Sequence, residues 1–581
     1  MNLLKRGAAP FLIVLTLAIY VGSAGIPSLL DDADSLFAEA AREMNVRHDW
    51  ITPYTNTIRF LEKPPVFYWL MSISYGVFRS ATAFTARLPT ALAVTALVFV
   101  TYKIGALVFG WRAGFFGALA LATSAGTFLF TRIVLPEPVF TLWLTLFMYA
   151  FLRWERAERK TAPLVWMYVF AALAVLTKGL IGVVFPAAIV VLTLLATGTL
   201  KDVRGLLSPG GLLIFFAIAI PWHVWASLRN PGFAWFYFIN EHVLRFVGGR
   251  YPVDYGTVPL VPFWLLHMVW LFPWSVYLLV LFSPARFKQE LAEHGRGLVL
   301  VVAWALTVLI FFSMGTSRLE YYTMPAFPAL ALLAGAQCAD SWERGRKWPG
   351  AALAATGALL GLSLILAAAL VTTGAMFPTL SQRGFLELKD QPEMYVFYLG
   401  HLFDLTPESL LALRTPLLLA GVSLGVALPL HYFVKRPETK GVTLASGMAA
   451  FFVAADIAFL IFAPRLTSRA LADEINRRSD GRPTIVVDGE YEEGSSLAFY
   501  TRQPLLIHNG RSSNLEYGSY YSDAPPLFID GAGLKRMWGE PTRLFLLTFR
   551  SKQTRLQMII PRDRYVLATY GDKLLISNFP D

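Results

Sequence analysis

Apolar runs long enough to cross a bilayer recur along most of this chain, and that recurrence decides the fold class before any motif is read. A hydrocarbon core about 30 Å thick takes roughly 20 residues of helix, and lipid satisfies no backbone hydrogen bonds, so each run must be helical. Runs of about 17 to 24 residues place spans near 9–28, 87–109, 113–131, 137–153, 163–178, 180–198, 210–227, 258–282, 298–315, 320–338, 350–373, 412–434 and 443–463. That is about thirteen transmembrane helices. A composition 56% hydrophobic and only 15% charged, with mean hydropathy +0.53, lies outside the range of soluble domains. The expectation is a polytopic α-helical membrane protein.

The N-terminus has the charge and apolar run of a signal peptide, but the run is long and many spans follow, so it reads as an uncleaved first span. The net charge of +11 does not mark a nucleic-acid binder, because the basic residues are scattered and do not alternate with aromatics on one domain. They fall in alternate loops: Lys5 and Arg6; Arg153, Arg156, Arg159 and Lys160; Lys201 and Arg204; Arg286, Lys288 and Arg296; Arg344, Arg346 and Lys347; Lys435, Arg436 and Lys440. The positive-inside rule puts these in the cytoplasm. The loops at 29–86, 228–257 and 374–411, and everything after 464, then face outward. Cys338 is the single cysteine, which excludes an intramolecular disulfide and any multi-thiolate metal site.

Two domains are expected. Residues 1–463 form the membrane domain, whose first outer loop carries two amphipathic helices, near Ser35–Met44 and Val66–Phe78, lying along the membrane surface over an interfacial cavity. Residues 464–581 form a soluble α/β domain with a helix in TSRALADEINRRS, a strand in TIVVDG, a short helix in SSLAFYT, and strands in PLLIH, RLFLLTF and RYVLATYGDKLLISN. This domain has no glycine-rich phosphate loop. No internal repeat is evident, which weighs against the inverted-repeat plan of many transporters.

Charge density is highest from Asp31 to Pro65. Asp32 and Asp34 precede an amphipathic helix, where either alone would serve as an N-cap. Paired at an interface beside several cations, they can also position an acceptor or stabilise the oxocarbenium-like centre of a glycosyl transfer. Glu62-Lys63-Pro64-Pro65 sits among Phe60, Leu61, Val66, Phe67 and Trp69, surroundings in which a charge needs a partner or a ligand. Lys63 suits a phosphate, although a lysine snorkelling to the interface has the same sequence appearance. Arg59, Arg87, Arg132, Glu137, Lys178, Glu241, His242, Arg245, Arg318, Glu320, Tyr321 and Tyr322 fall at outer span ends, where ionisable groups facing a cavity are functional candidates. Many cations with few acids suit a ligand bearing phosphate. His242 with Glu62 or Glu241 can hold a divalent metal, but no HxxxH or HExxH spacing supports it.

The motifs AEAAREM followed by DWITP, RFLEKPPVFYW, TAFTARLPTAL, LTKGLIG, FINEHVLRF and EYYTMPAFPALALL run in order through roughly the first 340 residues. In these the chain resembles the membrane glycosyltransferases of the C-type fold, the family of the protein O-mannosyltransferases and the 4-amino-4-deoxy-L-arabinose (aminoarabinose) transferases of lipid A. The C-terminal third shares only the plan. The resemblance implies a glycosyltransferase moving aminoarabinose from undecaprenyl phosphate to a phosphate of lipid A, at the periplasmic face of a bacterial inner membrane. Its consequence would be a less negative lipid A and resistance to polymyxin and other cationic peptides. Another sugar, a protein acceptor, or a lipid-linked sugar flippase are the alternatives.

The resemblance also implies site residues. Asp34, Asp32 and Glu137 are the catalytic candidates. Lys63, Arg59, Glu62, Lys178, Arg245, Arg318, Tyr321 and Tyr322 are the candidates for lipid phosphate and sugar. Where the family has an Asp-Glu pair this chain reads Asp32-Ala33-Asp34, so Asp34 takes the Glu-like position and the essential carboxylate is either aspartate. No cofactor is required, since a phosphate monoester leaves without a pyrophosphate to be bound by metal; Glu62 and His242 are the ligands if a divalent ion binds. A monomer with donor, lipid A and membrane lipids as partners is expected.

Overall fold

The computed structural model describes residues 2–157, 160–253, 257–373, 411–479, 481–511, 513–560 and 564–580. The outer loop expected over 374–411 lies, except for its last residue, outside the described residues. Seven described helices are long and apolar enough to cross a membrane: Ala83–Val108, Thr161–Lys178, Pro209–Arg229, Pro284–Met314, Trp348–Thr372, Arg414–Phe433 and Pro437–Leu466. Two bent pairs, Trp111–Ala122 with Ala125–Thr131 (48°) and Leu260–Trp270 with Ser275–Phe282 (114°), raise the number to nine. The sharper bend contains Pro273, which offers no N–H to continue a helix.

The expected count of about thirteen is therefore not reproduced. The other four apolar runs do form helices, but shorter or less continuous ones. Asn2–Thr16 continues as a π-helix over Leu17–Val21; Glu137–Arg156 carries charge at both ends; Ile181–Ala196 has 16 residues; Phe327–Glu343 has 17 and follows a 3₁₀ segment, Glu320–Ala326. The chain is a multi-pass membrane protein with a C-terminal α/β domain.

Small residues bring the spans together. A Cβ on Gly105 would lie 2.4 Å from the Cα of Gly114, one on Gly335 would lie 2.2 Å from the backbone nitrogen of Gly117, and one on Gly361 would lie 2.5 Å from the Cα of Gly425. Between lipid-exposed helices there is little hydrophobic force, so such close backbone packing carries the association.

The first outer loop folds into helix Ala33–Arg47, a hairpin of β1 (Tyr54–Thr55) and β2 (Ile58–Arg59), and helix Val66–Phe78. Asn56 and Thr57 supply the two positive φ angles of the hairpin turn. The first helix differs from the expectation of an element lying on a membrane surface. Its apolar face packs on Val66–Phe78, but its polar residues Asp34, Glu39 and Glu43 are buried too. Glu39 is paired with Arg42 and Glu43 with Arg47, and the C-terminal domain covers them.

That domain begins with helix Arg469–Arg478 and builds one six-stranded sheet from β3 (Thr484–Asp488), β4 (Leu505–His508), β5 (Phe528–Ile529), β6 (Leu544–Phe549), β7 (Tyr565–Tyr570) and β8 (Lys573–Ser577), in the order β5-β4-β3-β6-β8-β7. β3 pairs in parallel with both β4 and β6. Covered on both faces, these strands are apolar along their length, as in Ile485, Val486, Val487 and Leu544 to Leu547. The chain order reverses about β3, so the carboxyl ends of β3 and β6 flank the switch point where α/β sheets place their sites. The turn leaving β3, Tyr491–Gly494, and the helix after it, Ser495–Thr501, rest on the start of the first outer helix.

Several bonds fix this contact. Asp31 accepts from Ser496 N (2.8 Å) and Ser468 Oγ (2.7 Å) and pairs with Lys573. The amide of Asn56 donates to Leu505 O (2.9 Å) and accepts from Leu505 N (2.7 Å). Arg59 pairs with Asp523 at 2.7 Å and lies over the ring of Tyr521.

Candidate active site

A cavity of about 440 Å³ opens between the outer loop, the outer ends of the spans and the C-terminal domain. Of the residues singled out from the sequence, Asp32, Glu62, Lys63, Glu137, Lys178, His242, Arg245, Tyr321 and Tyr322 line it. Asp34, Arg59 and Arg318 do not. Arg59 ties the hairpin to the C-terminal domain, and Arg318 donates to the carbonyls of Val258 (2.9 Å) and Gly315 (2.6 Å) as a loop brace.

The two aspartates part company. Asp34 is 1% exposed; its Oδ2 meets Arg87 at 2.5 Å and Leu30 N at 2.8 Å, and its Oδ1 takes Val134 N at 2.7 Å. Arg87, equally buried, also donates to the carbonyls of Ala24 and Pro27. Both carboxylate oxygens are thus spent on structure. Removing one partner of such a pair leaves an uncompensated buried charge costing roughly 3–5 kcal/mol. Asp34→Asn is therefore expected to lower the thermal midpoint and the folded yield in detergent; a midpoint equal to wild type with transfer abolished would assign Asp34 to chemistry instead.

Asp32 stands at the mouth of the same helix with φ +71° and makes no side-chain cap. Its backbone N–H donates to Glu492 O (3.0 Å) and Ser495 Oγ (2.8 Å) of the C-terminal domain. A non-glycine residue with this φ costs about 1–3 kcal/mol and persists only where the surroundings over-determine it. The result here is an exposed carboxylate held on the cavity wall.

The same cavity is lined by a cationic group built by two motifs. In the first, Pro64 and Pro65 break the chain before helix Val66–Phe78 and leave Glu62 and Lys63 in the turn. In the second, FINEHVLRF winds as a π-helix over Trp235–Leu244, a form found often at functional sites because its extra residue re-aims side chains. It presents Tyr237, Glu241 and His242, with Arg245 next. Arg250 then knots the two motifs together, pairing with Glu62 and with Glu241 at 2.7 Å each, while Arg245 takes the other Glu241 oxygen at 2.9 Å. Burial alone would raise the Glu241 carboxyl, but Arg245 and Arg250 outweigh it and hold it below its ordinary value. Glu62 is pushed up, by burial more than Arg250 offsets and by the charge of Glu241.

Among the described residues Lys63 has no hydrogen bond, and its only ion pair is a 3.9 Å contact with Glu62. Burial, then the nearby charge of Arg245, lowers the pKa of its ammonium. It is a desolvated cation on a cavity wall with unfilled donors, the state expected of a group awaiting an anion.

Lys178 ends its span because Gly179 turns at φ +81°. A Cβ there would lie 2.0 Å from Nε2 of His242, so LTKGLIG requires this glycine. The freed end puts Lys178 Nζ 2.6 Å from Glu137 Oε1 and over the ring of Tyr322. Glu137 Oε2 is buried without a hydrogen-bond partner.

The metal expected of Glu62 and His242 finds no support in the donor geometry. His242 Nδ1 lies 2.6 Å from Tyr237 O and donates to it, and its Nε2 accepts from Leu180 N at 3.1 Å. Both ring nitrogens are spent on backbone, burial lowers the imidazole's pKa, and Glu62 is engaged by Arg250. No group of three potential ligands gathers among the described residues.

Sequence reasoning missed Arg250, Tyr237, Ser317, Asn514 and Glu492. Arg250 follows a two-glycine turn, a signal that the chain reverses there; the last two come from a domain with no motif to mark them.

Residues 62–225 match the family model of dolichyl-phosphate-mannose-protein mannosyltransferases. The chain is 26% identical over 355 residues to the undecaprenyl phosphate-alpha-4-amino-4-deoxy-L-arabinose arabinosyl transferase of Yersinia pestis (strain Pestoides F), covering 58% of this chain and 61% of that one. A relative of the same name from Yersinia enterocolitica is 27% identical over 352 residues, with the same coverage. The chain thus spans about three fifths of the length of these curated relatives. The crystal structure of ArnT from Cupriavidus metallidurans bound to undecaprenyl phosphate superposes with a TM-score of 0.81 at 21% identity, over 99% of this chain and 98% of that one; its apo form gives 0.80 at 20%. The fold is therefore that of a C-type glycosyltransferase.

Proposed function

We propose that this chain is a polyprenyl-phosphate-dependent glycosyltransferase, moving 4-amino-4-deoxy-L-arabinose from undecaprenyl phosphate to a phosphate of lipid A at the periplasmic face of a bacterial inner membrane. The observation that carries the reading is that one cavity is lined both by the cations Lys63 and Arg245 and by the carboxylate of Asp32. The named substrates of the relatives, and the carrier bound to the superposing ArnT, supply the ligand class.

In this reaction the bond from the anomeric carbon to the carrier phosphate breaks, and its electron pair stays on the phosphate oxygen. An oxygen of the acceptor phosphate forms the new bond to that carbon. Lys63 and Arg245 meet the charge gathering on the departing phosphate, as preorganised donors that need not reorganise at the moment of reaction. Asp32 faces the positive charge on the ring. An acceptor phosphate is already ionised at neutral pH, so no side chain has to take a proton.

The test uses purified full-length protein in detergent with the defined lipid-linked aminoarabinose and lipid A, read by mass spectrometry. Lipid A heavier by one aminopentose residue is expected. Unchanged lipid A, with a sugar transferred instead to a protein hydroxyl, would overturn the acceptor assignment and make Asp32 the general base.

A further inference from the structure

The acid side of the cavity is more elaborate than a single catalytic aspartate needs. Glu492, in the turn that leaves β3 at the switch point of the sheet, is 7% exposed. Its Oε1 accepts from Asn514 Nδ2 at 2.7 Å, and Asn514 lines the cavity. Its Oε2 is buried with no hydrogen-bond partner. Its main-chain carbonyl accepts the N–H of Asp32, and the Asp32 carboxylate is close enough to act on it electrostatically. Among the described residues no lysine or arginine lies within ion-pair distance of Glu492.

A buried carboxyl with no cation at ion-pair distance is disfavoured as an anion beside a second carboxylate. Burial, and then Asp32, push Glu492 up to about 8, so at neutral pH it is held as the acid. Glu492 lies behind Asn514 and next to Asp32, both of which line the cavity, and it differs from Glu62, Glu137 and Glu241, which each face a cation at 2.6–2.9 Å. A buried, unpartnered carboxyl oxygen beside a second acid and an oriented amide is a receptor for a positively charged donor group. With Lys63 and Arg245 lining the same cavity, the ligand is asked to carry both an anionic and a cationic group.

We infer that Glu492 and Asn514 of the C-terminal domain, together with Asp32, form a subsite for a substrate ammonium group, here the amine of the transferred sugar. This rests on the transferase reading and assigns the soluble domain a role in choosing the sugar. An ammonium at Glu492 supplies the missing cation and displaces its proton. A sugar bearing a hydroxyl or an amide at the same carbon brings no cation to that carboxyl.

The measurement is kcat/KM for two donors, undecaprenyl-phosphate-linked aminoarabinose and its N-acetylated counterpart, which has no basic amine. Loss of a charged hydrogen bond is worth roughly a factor of ten or more. Wild type is expected to favour the amine by at least that, folded Glu492→Gln to reduce the ratio to within about threefold, and Glu492→Asp to restore part of it. A merely structural role would lower both rates together and leave the ratio intact, which overturns the inference, as does a wild type that uses both donors equally. If Glu492→Gln does not fold, Asn514→Ala is read by the same ratio. A wild type that transfers neither sugar fails the transferase reading itself, an outcome distinct from transfer without discrimination.

Discussion

Replacing Lys63 with alanine is expected to lower kcat about 10²- to 10³-fold, the loss typical of one preorganised charge donor at a transition state, with the thermal midpoint unchanged or raised. The stability half follows from the environment. A desolvated ammonium whose only described ion pair is 3.9 Å long costs the fold something, and its removal leaves no orphan, since Glu62 retains Arg250 at 2.7 Å. The catalytic half follows from the same facts, because a half-buried side chain that the fold does not use is available to the departing phosphate.

The pH profile adds a second reading of the same residue. Burial and Arg245 lower the Lys63 pKa, so in the free protein the ammonium loses its proton at a lower pH than an ordinary lysine. Only the charged form stabilises the leaving phosphate, so kcat/KM should fall on an alkaline limb displaced below the usual lysine range. Lys63→Arg keeps its charge to far higher pH and should move that limb upward whatever it does to the maximal rate. An alkaline limb identical in wild type and Lys63→Arg would remove Lys63 from the phosphate site.

Much of this arrangement was legible in the sequence, and the parts that were not share physical causes. Proline after Glu62-Lys63, glycine after Lys178 and the aromatic-charged run around Glu241 each impose a backbone event, and each event places a side chain on the cavity. Of the thirteen apolar runs, seven to nine correspond to described helices or bent pairs long and apolar enough to cross a membrane, and the other four form helices that are shorter, interrupted or charged at their ends. The outer helix Ala33–Arg47 was expected at a membrane surface. A hydrophobic stripe opposite charges looks the same when the charged face is covered by another domain and neutralised by Arg42 and Arg47. Glu492 and Asn514 reach the site by a fold that brings residue 492 against residue 32, and nothing local announces such a contact.

The second large effect separates the aspartates. Asp32→Asn is expected to reduce transfer by about 10³-fold while leaving the fold intact, because main-chain bonds hold Asp32 in place. The N–H bonds to Glu492 and Ser495 survive the change, and asparagine has the same shape as the aspartate already held in this backbone conformation. On the proposed mechanism, what it removes is the negative charge facing the developing oxocarbenium centre. Donor KM should move little if Asp32 acts mainly in the transition state, so the loss should appear in kcat. Asp34→Asn should show the opposite pattern, with instability first and activity lost in proportion to folded protein. The comparison is sharpest at constant folded concentration. There Asp34→Asn should retain most of its turnover and Asp32→Asn almost none, and the reverse order would return the catalytic charge to Asp34 and leave Asp32 a strained residue without a chemical role. The first order would also explain why the chain tolerates Ala33 between them: the helix start is anchored from within by Asp34 and Arg87, and the strained turn one step earlier swings the reacting carboxylate to the cavity side.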